Sequence, residues 1–335
     1  MTLEEGCRVA VETCMGVGPN DRVVIVSDGD SMEIGRELRR AALEITPQVR
    51  FFNLEIYGDR PLSELPDLVE KETRDATVTF WTARSIKGEL ETVRRPFMTA
   101  AITRGRHAHM VDIDETIMET GMAVDYKEVS RFTEALHEKL KSVREIKVKN
   151  DLGTDFTALF EDVKWVASTG INQEMGHWIN LPSGEIFTAP TFMEGRIVAD
   201  GVLGEYFGRK YPHETLMETP VTVDIAMRER ASAVKVDCDD PDLLTELEEY
   251  LALHPCSSWV GEVGLGTNIF LEELIDNMLQ DEKFPGVHVA FGDPIQTETY
   301  AGWSCPEHLD MVLTGCDVWF DGEKIMEDSE YIIDL

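Results

Sequence analysis

Cations are scarce in this chain. Its 335 residues carry 31 Lys and Arg against 64 Asp and Glu, a formal net charge of −33. Phosphates and anionic lipid surfaces are bound by clustered Lys and Arg, so nucleic acid and an acidic membrane are excluded as partners. The acidity is spread along the whole chain, which reads as a solvated, self-repelling surface suited to a salt-rich cytoplasm. The other use for such a field is to steer cationic substrates such as amines. Long apolar runs are missing too: none approaches the roughly 18 residues that a membrane span needs. The start, Met1-Thr-Leu-Glu-Glu-Gly-Cys7, is acidic and lacks the basic opening of a signal peptide. A soluble cytoplasmic protein is the expectation.

Several catalytic signatures are also absent. No G-x-G-x-x-G or G-x-x-x-x-G-K-[ST] stands in the first half, and the first strand runs into Asp28-Gly29-Asp30, where acidic groups would repel a phosphate. There is no G-x-S-x-G elbow and no H-E-x-x-H, so a serine hydrolase and a helix-borne zinc protease both fall away. The six cysteines (Cys7, Cys14, Cys238, Cys256, Cys305, Cys316) form no C-x-x-C pair and read as reduced, mostly buried thiols. Cys305, close to His308, is the one to watch as an outer-shell or redox-sensitive group.

What is present is enough chain for two domains, with an ordinary hydrophobic fraction of 43%. Residues 1–144 alternate strand and helix: strands at 22–27, 49–56, 76–82 and 107–113, helices at 31–44, from Pro61, over 89–105, and from Asp125 to Lys141. That rhythm predicts a mostly parallel sheet with right-handed crossovers. Leu62, Leu65 and Leu68 are spaced for one buried helix face. From residue 145 the period changes to short alternating strands, starting with a hairpin of 145–150 and 155–160, interrupted by helices over 241–254 and 271–280. The expected second domain, 145–335, is α+β and rich in antiparallel sheet.

Five metal-type residues lie in this second half, each in strand-like sequence: Glu185, Glu262, His288, His308 and Asp310. Strand side chains alternate faces, so His308 and Asp310 share one face while Leu309, Met311 and Leu313 take the other. Glu185 follows Pro182-Ser-Gly184 at a strand entrance. Glu262 lies among Gly261, Gly264 and Gly266, and glycines weaken a strand unless something must approach closely. His288 sits in the apolar run Val287-His-Val-Ala-Phe291, where a satisfied core histidine is the plain alternative; for His308 with Asp310 that alternative is an imidazole–carboxylate hydrogen bond. Two histidines and three carboxylates suit zinc, cobalt, manganese or iron, and five ligands can hold two ions. His107 and His109 read as structural, His137 and His213 as surface residues, His254 as the end of a helix, and His177 as a residue that could line the cleft.

Together, Gly153-Thr-Asp155, Asn180-Leu-Pro-Ser-Gly-Glu185-Ile-Phe-Thr-Ala-Pro190, Gly261-Glu262 with Gly266-Thr-Asn268, His288-Val-Ala-Phe-Gly292 and His308-Leu-Asp310 resemble the aminopeptidase T/aminopeptidase S metallopeptidases. The resemblance covers roughly residues 145–320 and implies the thermophilic metalloprotease-like fold. It also implies a homodimer and two divalent ions (zinc, cobalt or manganese) held by Glu185, Glu262, His288, His308 and Asp310. The implied activity is removal of N-terminal residues from peptides or amino-acid amides by a metal-activated water, with Glu185 or Glu262 bridging the ions or acting as general base. The tyrosine that this family carries about seven residues after the first histidine is Ile295 here; Tyr300 is the nearest replacement. A related branch resembles 2,5-dihydroxypyridine dioxygenase, in which one Fe(II) would be held by His288, His308 and Asp310. Retention of Glu185 and Glu262 puts the hydrolase ahead of the oxygenase at this point. A catalytically silent metal-binding homologue is the third reading.

Overall fold

The computed structural model describes residues 2–333. The chain forms two compact units, Met1–Ser130 with Ser168–Ser183 and Arg131–Ala167 with Gly184–Leu335. This division differs from a single cut at 144/145 in two ways. The boundary between Ser130 and Arg131 falls inside the helix Tyr126–Leu140, with Leu136 and Leu140 in the core of the second unit. The segment 168–183 returns to the first unit, where Trp178–Asn180 pairs with Arg106–His109. A three-residue strand has too little periodicity to be seen in sequence.

The first unit is built on a parallel sheet ordered Val49–Asn53, Val23–Ser27, Val78–Trp81, Arg106–His109, Trp178–Asn180. Val23–Ser27 is buried along its whole length, as a strand covered on both faces must be. The helix expected from Pro61 starts only at Asp67 and ends at Arg74, with Leu62 half-buried, Leu65 buried and Leu68 exposed. Side-chain bonds hold the preceding segment out of a helix. Leu62 N donates to Glu89 Oε1 at 2.6 Å, and the buried Arg60 guanidinium joins Glu89 and Asp28. His107 and His109 are structural, as expected: His107 Nδ1 lies 2.9 Å from Thr79 Oγ1 and Nε2 3.3 Å from His109 Nδ1. Burial pushes His107 down to about 3 and His109 well below the ordinary histidine range, so both rings are neutral.

The second unit contains two antiparallel sheets. One has eight strands, in the order 231–237, 221–227, 192–199, 155–159, 145–149, 317–320, 323–327, 330–331. The other runs 308–313, 286–292, 260–266, 185–188, 166–168. Their apolar faces share one core: Ile146, Val148, Phe156, Ile197 and Val223 from the first, and Val263, Leu265, Val289, Leu309, Met311 and Leu313 from the second. Pro241–Leu251 is a helix capped by Asp240, whose side chain accepts from the amides of Asp242 and Leu243; Leu243, Leu247 and Leu251 form its buried stripe. The helix expected over 271–280 is only Met278–Asp281, because the chain before it wraps around the Asp281 carboxylate, which accepts from Ile275 N and Asn277 N at 3.0 Å. Two short helices, Glu205–Lys210 and His213–Glu218, stand where strands dominate the sequence pattern. Among the described residues no helix is long and apolar enough to cross a membrane.

Candidate metal centre

The second sheet of this unit sends its odd-numbered residues from 287–291 and 309–313 into the core, which leaves His288, His308 and Asp310 on the opposite face. Glu262 reaches the same face by a different route. Val260, Val263 and Leu265 are all core residues, a spacing that regular alternation does not allow. The register shifts between Val260 and Glu262, so Gly261 is the extra residue of a bulge and Glu262 is turned outward. A side chain at 261 would run into the carbonyl oxygens of Gly292 and Asp293. Glu185 opens its strand opposite Gly266, and His288 stands opposite Gly264. The nearest neighbours of a Cβ placed at 264 are three atoms of the His288 ring. The glycine pattern therefore reflects an imidazole laid flat across a neighbouring strand.

The five residues converge. His288 Nε2 lies 3.1 Å from Glu262 Oε1 and 3.7 Å from Glu185 Oε2. His308 Nε2 lies 3.3 Å from Asp310 Oδ2 and 3.9 Å from Glu262 Oε2. His308 Nδ1 donates to the carbonyl of Asp293 at 2.8 Å, which fixes the ring with Nε2 towards the carboxylates. The side chains of Glu185, Glu262 and His288 are 7%, 4% and 1% exposed, whereas His308 keeps 29%, so the cluster opens to solvent at His308.

Electrostatics follow from this crowding. Burial alone would lower His288, but the hydrogen bond and charge of Glu262, then Glu185 and Asp310, raise it to about 9. His308 is likewise raised well above the ordinary range: burial is outweighed by Asp310 and Glu262. Asp310 goes the other way, to about 2, because His308 overcomes the cost of burial. Burial raises Glu262, with the His288 hydrogen bond opposing it.

Three buried polar atoms of the cluster, Glu262 Oε2, Asp310 Oδ1 and His288 Nδ1, have no hydrogen-bond partner among the described residues. Orphaned carboxylate oxygens are costly in a dry site, and a bound cation removes that cost. Glu185, Glu262 and His288 offer ligand atoms within 4.8 Å of one another. A mixed N and O donor set of this kind fits a divalent transition ion.

Three participants escape a reading of the sequence. Lys283 is fully buried; its Nζ lies 2.6 Å from Glu185 Oε1 and also pairs with Glu282. The two carboxylates keep its ammonium charged against the cost of burial. Burial raises Glu282 to about 8, with Lys283 opposing. Asp293, which holds His308 through its carbonyl, is the third. The only trace of Lys283 and Glu282 in sequence is a charged triplet ahead of an apolar strand, which ordinarily marks a solvated turn.

Tyr300 is not gathered into the cluster. It is 70% exposed, and Lys164 Nζ lies 4.7 Å from its ring centroid. The reduced-thiol expectation holds for Cys7, Cys14, Cys238 and Cys316 but not for Cys256 and Cys305, which are disulfide-bonded to each other. Strand pairing explains the bond. Val260 and His308 lie at the same end of the sheet, so the loops entering those strands meet there despite 49 residues between the cysteines. Cys305 N donates to Asp293 Oδ1 at 3.2 Å, so the bridge anchors the residue that orients His308. His137 and His213 are half-buried rather than simple surface groups, bonded to the carbonyls of Trp165 and Asp200. His177 is exposed, 3.8 Å from Glu174 within the first unit.

A parallel-sheet unit and a second unit of antiparallel sheets, with a buried His/carboxylate cluster on one sheet face, define a recognisable architecture carrying a candidate metal site. Residues 102–231 match the family described as NicX: 2,5-dihydroxypyridine 5,6-dioxygenase, a stretch that contains Glu185 and ends before Glu262. The curated 2,5-dihydroxypyridine 5,6-dioxygenase of Pseudomonas putida (KT2440) is 25% identical over 200 residues, 56% of this chain and 54% of that protein. The alignment thus spans about half the length of this relative. Two solved structures share the fold over nearly all of both chains. The Pseudomonas putida KT2440 2,5-dihydroxypyridine dioxygenase has a TM-score of 0.71, 17% identity and coverage of 99% and 97%. Wild-type AmpT from Thermus thermophilus has a TM-score of 0.73, 16% identity and coverage of 99% and 99%. Similarity to both structures at such identities establishes the architecture and leaves chemistry to the site.

Proposed function

We propose that this protein is a metal-dependent enzyme that opens a hydroxylated aromatic ring with dioxygen, its substrate class being a dihydroxypyridine. The observation that carries the reading is a pair of imidazoles turned onto buried carboxylates, His288 Nε2 3.1 Å from Glu262 and His308 Nε2 3.3 Å from Asp310. Two histidines and one carboxylate are the usual ligand set of non-haem iron, with positions left for substrate and dioxygen. His288, His308 and Asp310 would hold one Fe(II), with Glu262 beside them. When bound, ferrous iron supplies the electron transfer to dioxygen that no side chain provides. The chain does the rest. Asp293 fixes the His308 ring, and the packed core face holds the ligand-bearing strands in register. In the overall reaction one ring carbon–carbon bond breaks and both atoms of one dioxygen enter the product. The family match and the curated relative, which carry the same printed activity, support this choice. So does the exposure of Tyr300, which leaves the peptidase reading without its supporting tyrosine.

One observation favours a second reading. Glu185, Glu262 and His288 lie close enough to share a cation, as a two-ion aminopeptidase acting on peptides or amino-acid amides requires. In that reading zinc, cobalt or manganese would be bound, and Glu185 or Glu262 would serve the water. A cytoplasmic homodimer is proposed with either activity. Metal analysis of protein purified anaerobically and without added metal separates the two. One iron per chain supports the oxygenase; two zinc, cobalt or manganese ions would move the assignment to the hydrolase. His308→Ala and Asp310→Ala should each abolish metal binding while leaving the fold largely intact, and full metal content in either variant would sink the site.

A further inference from the structure

Lys283 is the one ammonium in direct contact with the five-residue cluster among the described residues, and its position is built rather than incidental. Its backbone carbonyl accepts from Asn268 N at 3.0 Å, and its amide donates to Gln280 O at 2.8 Å. The 283–284 backbone passes so close over Gly266 that any Cβ there would strike it. Gly266 is the register partner of Glu185. The glycine therefore lets the chain deliver Lys283 onto Glu185, 2.6 Å from Oε1, with no exposed surface left on the side chain. A lysine that merely stiffened the fold could keep its head in water, since the stem alone supplies apolar contact. Burying the ammonium is expensive and is tolerated here because Glu185 and Glu282 flank it.

We infer that Lys283 stands where a second metal ion would otherwise sit: it occupies Glu185 Oε1 and limits the cluster to the single divalent ion held by His288, His308 and Asp310 with Glu262 beside them. This rests on the reading that the cluster binds metal. A divalent ion placed on Glu185 Oε1 would have to share that oxygen with a buried ammonium, and two like charges at contact distance in a water-poor site repel strongly. Of the five ligands that a two-ion centre calls for, Glu185 then has Oε1 committed to Lys283 and only Oε2, 3.7 Å from His288 Nε2, turned to the cluster. Lys283 is a positioning residue, acting through Glu185 on how many ions the site accepts.

The test is metal stoichiometry at saturation with Mn²⁺, measured by elemental analysis and by electron paramagnetic resonance, which distinguishes an isolated ion from an exchange-coupled pair. Wild type should hold one ion with an uncoupled signal. Lys283→Met should hold two, with a coupled signal, and Lys283→Arg should return to one. Two coupled ions in wild type, or a folded Lys283→Met that still takes one, overturns the role of Lys283 while leaving metal binding itself standing. No ion in wild type removes the metal reading and the inference with it. Because Lys283→Met leaves two buried carboxylates unpaired and can fail to fold, Glu185→Gln provides an independent check. It should keep one ion with less than about threefold change in affinity, and loss of that ion would make Glu185 a ligand and refute the inference.

Discussion

Gly264→Ala tests whether the glycine pattern of the central site strand exists for the sake of His288. The three atoms nearest a methyl at 264 all belong to the His288 ring, the farthest of them only 2.5 Å away. Ordinary contact needs about 3.5 Å or more. The ring has no room to retreat, being 1% exposed and bonded through Nε2 to Glu262 Oε1 at 3.1 Å. Overpacking of this kind costs about 1–3 kcal/mol. Tearing the imidazole from Glu262 forfeits a charge-assisted bond of roughly 1.5–3 kcal/mol. Gly264→Ala should therefore destabilise the metal-free protein by about 2.5–6 kcal/mol in a urea titration. His288→Ala removes the obstacle, so adding Gly264→Ala to it should cost roughly 0.5 kcal/mol or less. Such a double-mutant cycle isolates the contact. An equal cost of Gly264→Ala in both backgrounds would refute the reasoning and assign the glycine to backbone demands alone.

Three further outcomes follow from particular residues. Burial raises Asp281 from 3.8 to about 7, so between those values the folded chain keeps a proton that the unfolded chain has lost, and stability falls as pH rises through that window. Asp281→Asn should flatten this dependence by an amount on the order of 4 kcal/mol, read as the difference between variant and wild-type urea midpoints from pH 4 to 8. The Cys256–Cys305 bridge closes a 49-residue separation, for which loop-closure entropy gives roughly 4 kcal/mol as an upper figure. Its reduction should lower the melting temperature and weaken metal binding through Asp293 and His308, and calorimetry before and after reductant checks both. Tyr300→Phe should leave turnover unchanged, because the ring lies in solvent; a large fall in kcat at constant KM would bring Tyr300 into the reaction.

Much of this architecture was legible in the sequence, for physical reasons that vary by element. Buried parallel strands such as Val23–Ser27 announce themselves as apolar runs, and the alternation at 145–149 and 155–159 gives the hairpin directly. The odd and even faces of His308–Leu313 were equally plain, and with them the side chains that could carry ligands. What stayed hidden depends on contacts distant in sequence. The segment around Pro61 has the leucine spacing of a helix but is held open by Glu89 and Arg60. The helix expected before Met278 yields to amides that prefer the Asp281 carboxylate. Lys283 looks like a surface lysine until the strand pairing of Gly266 with Glu185 is known. Cys256 and Cys305 have no spacing motif, because strand order and not local sequence brings them together.

The most direct test of the account is dioxygen uptake by Fe(II)-loaded protein on addition of 2,5-dihydroxypyridine, followed beside the ring absorbance and beside a parallel assay on amino-acid amides. The account predicts one dioxygen consumed for each ring lost, no such uptake in His308→Ala, and no amide hydrolysis. Release of free amino acid from the amides by the metal-loaded protein, with no dioxygen consumed, would contradict it and restore the aminopeptidase.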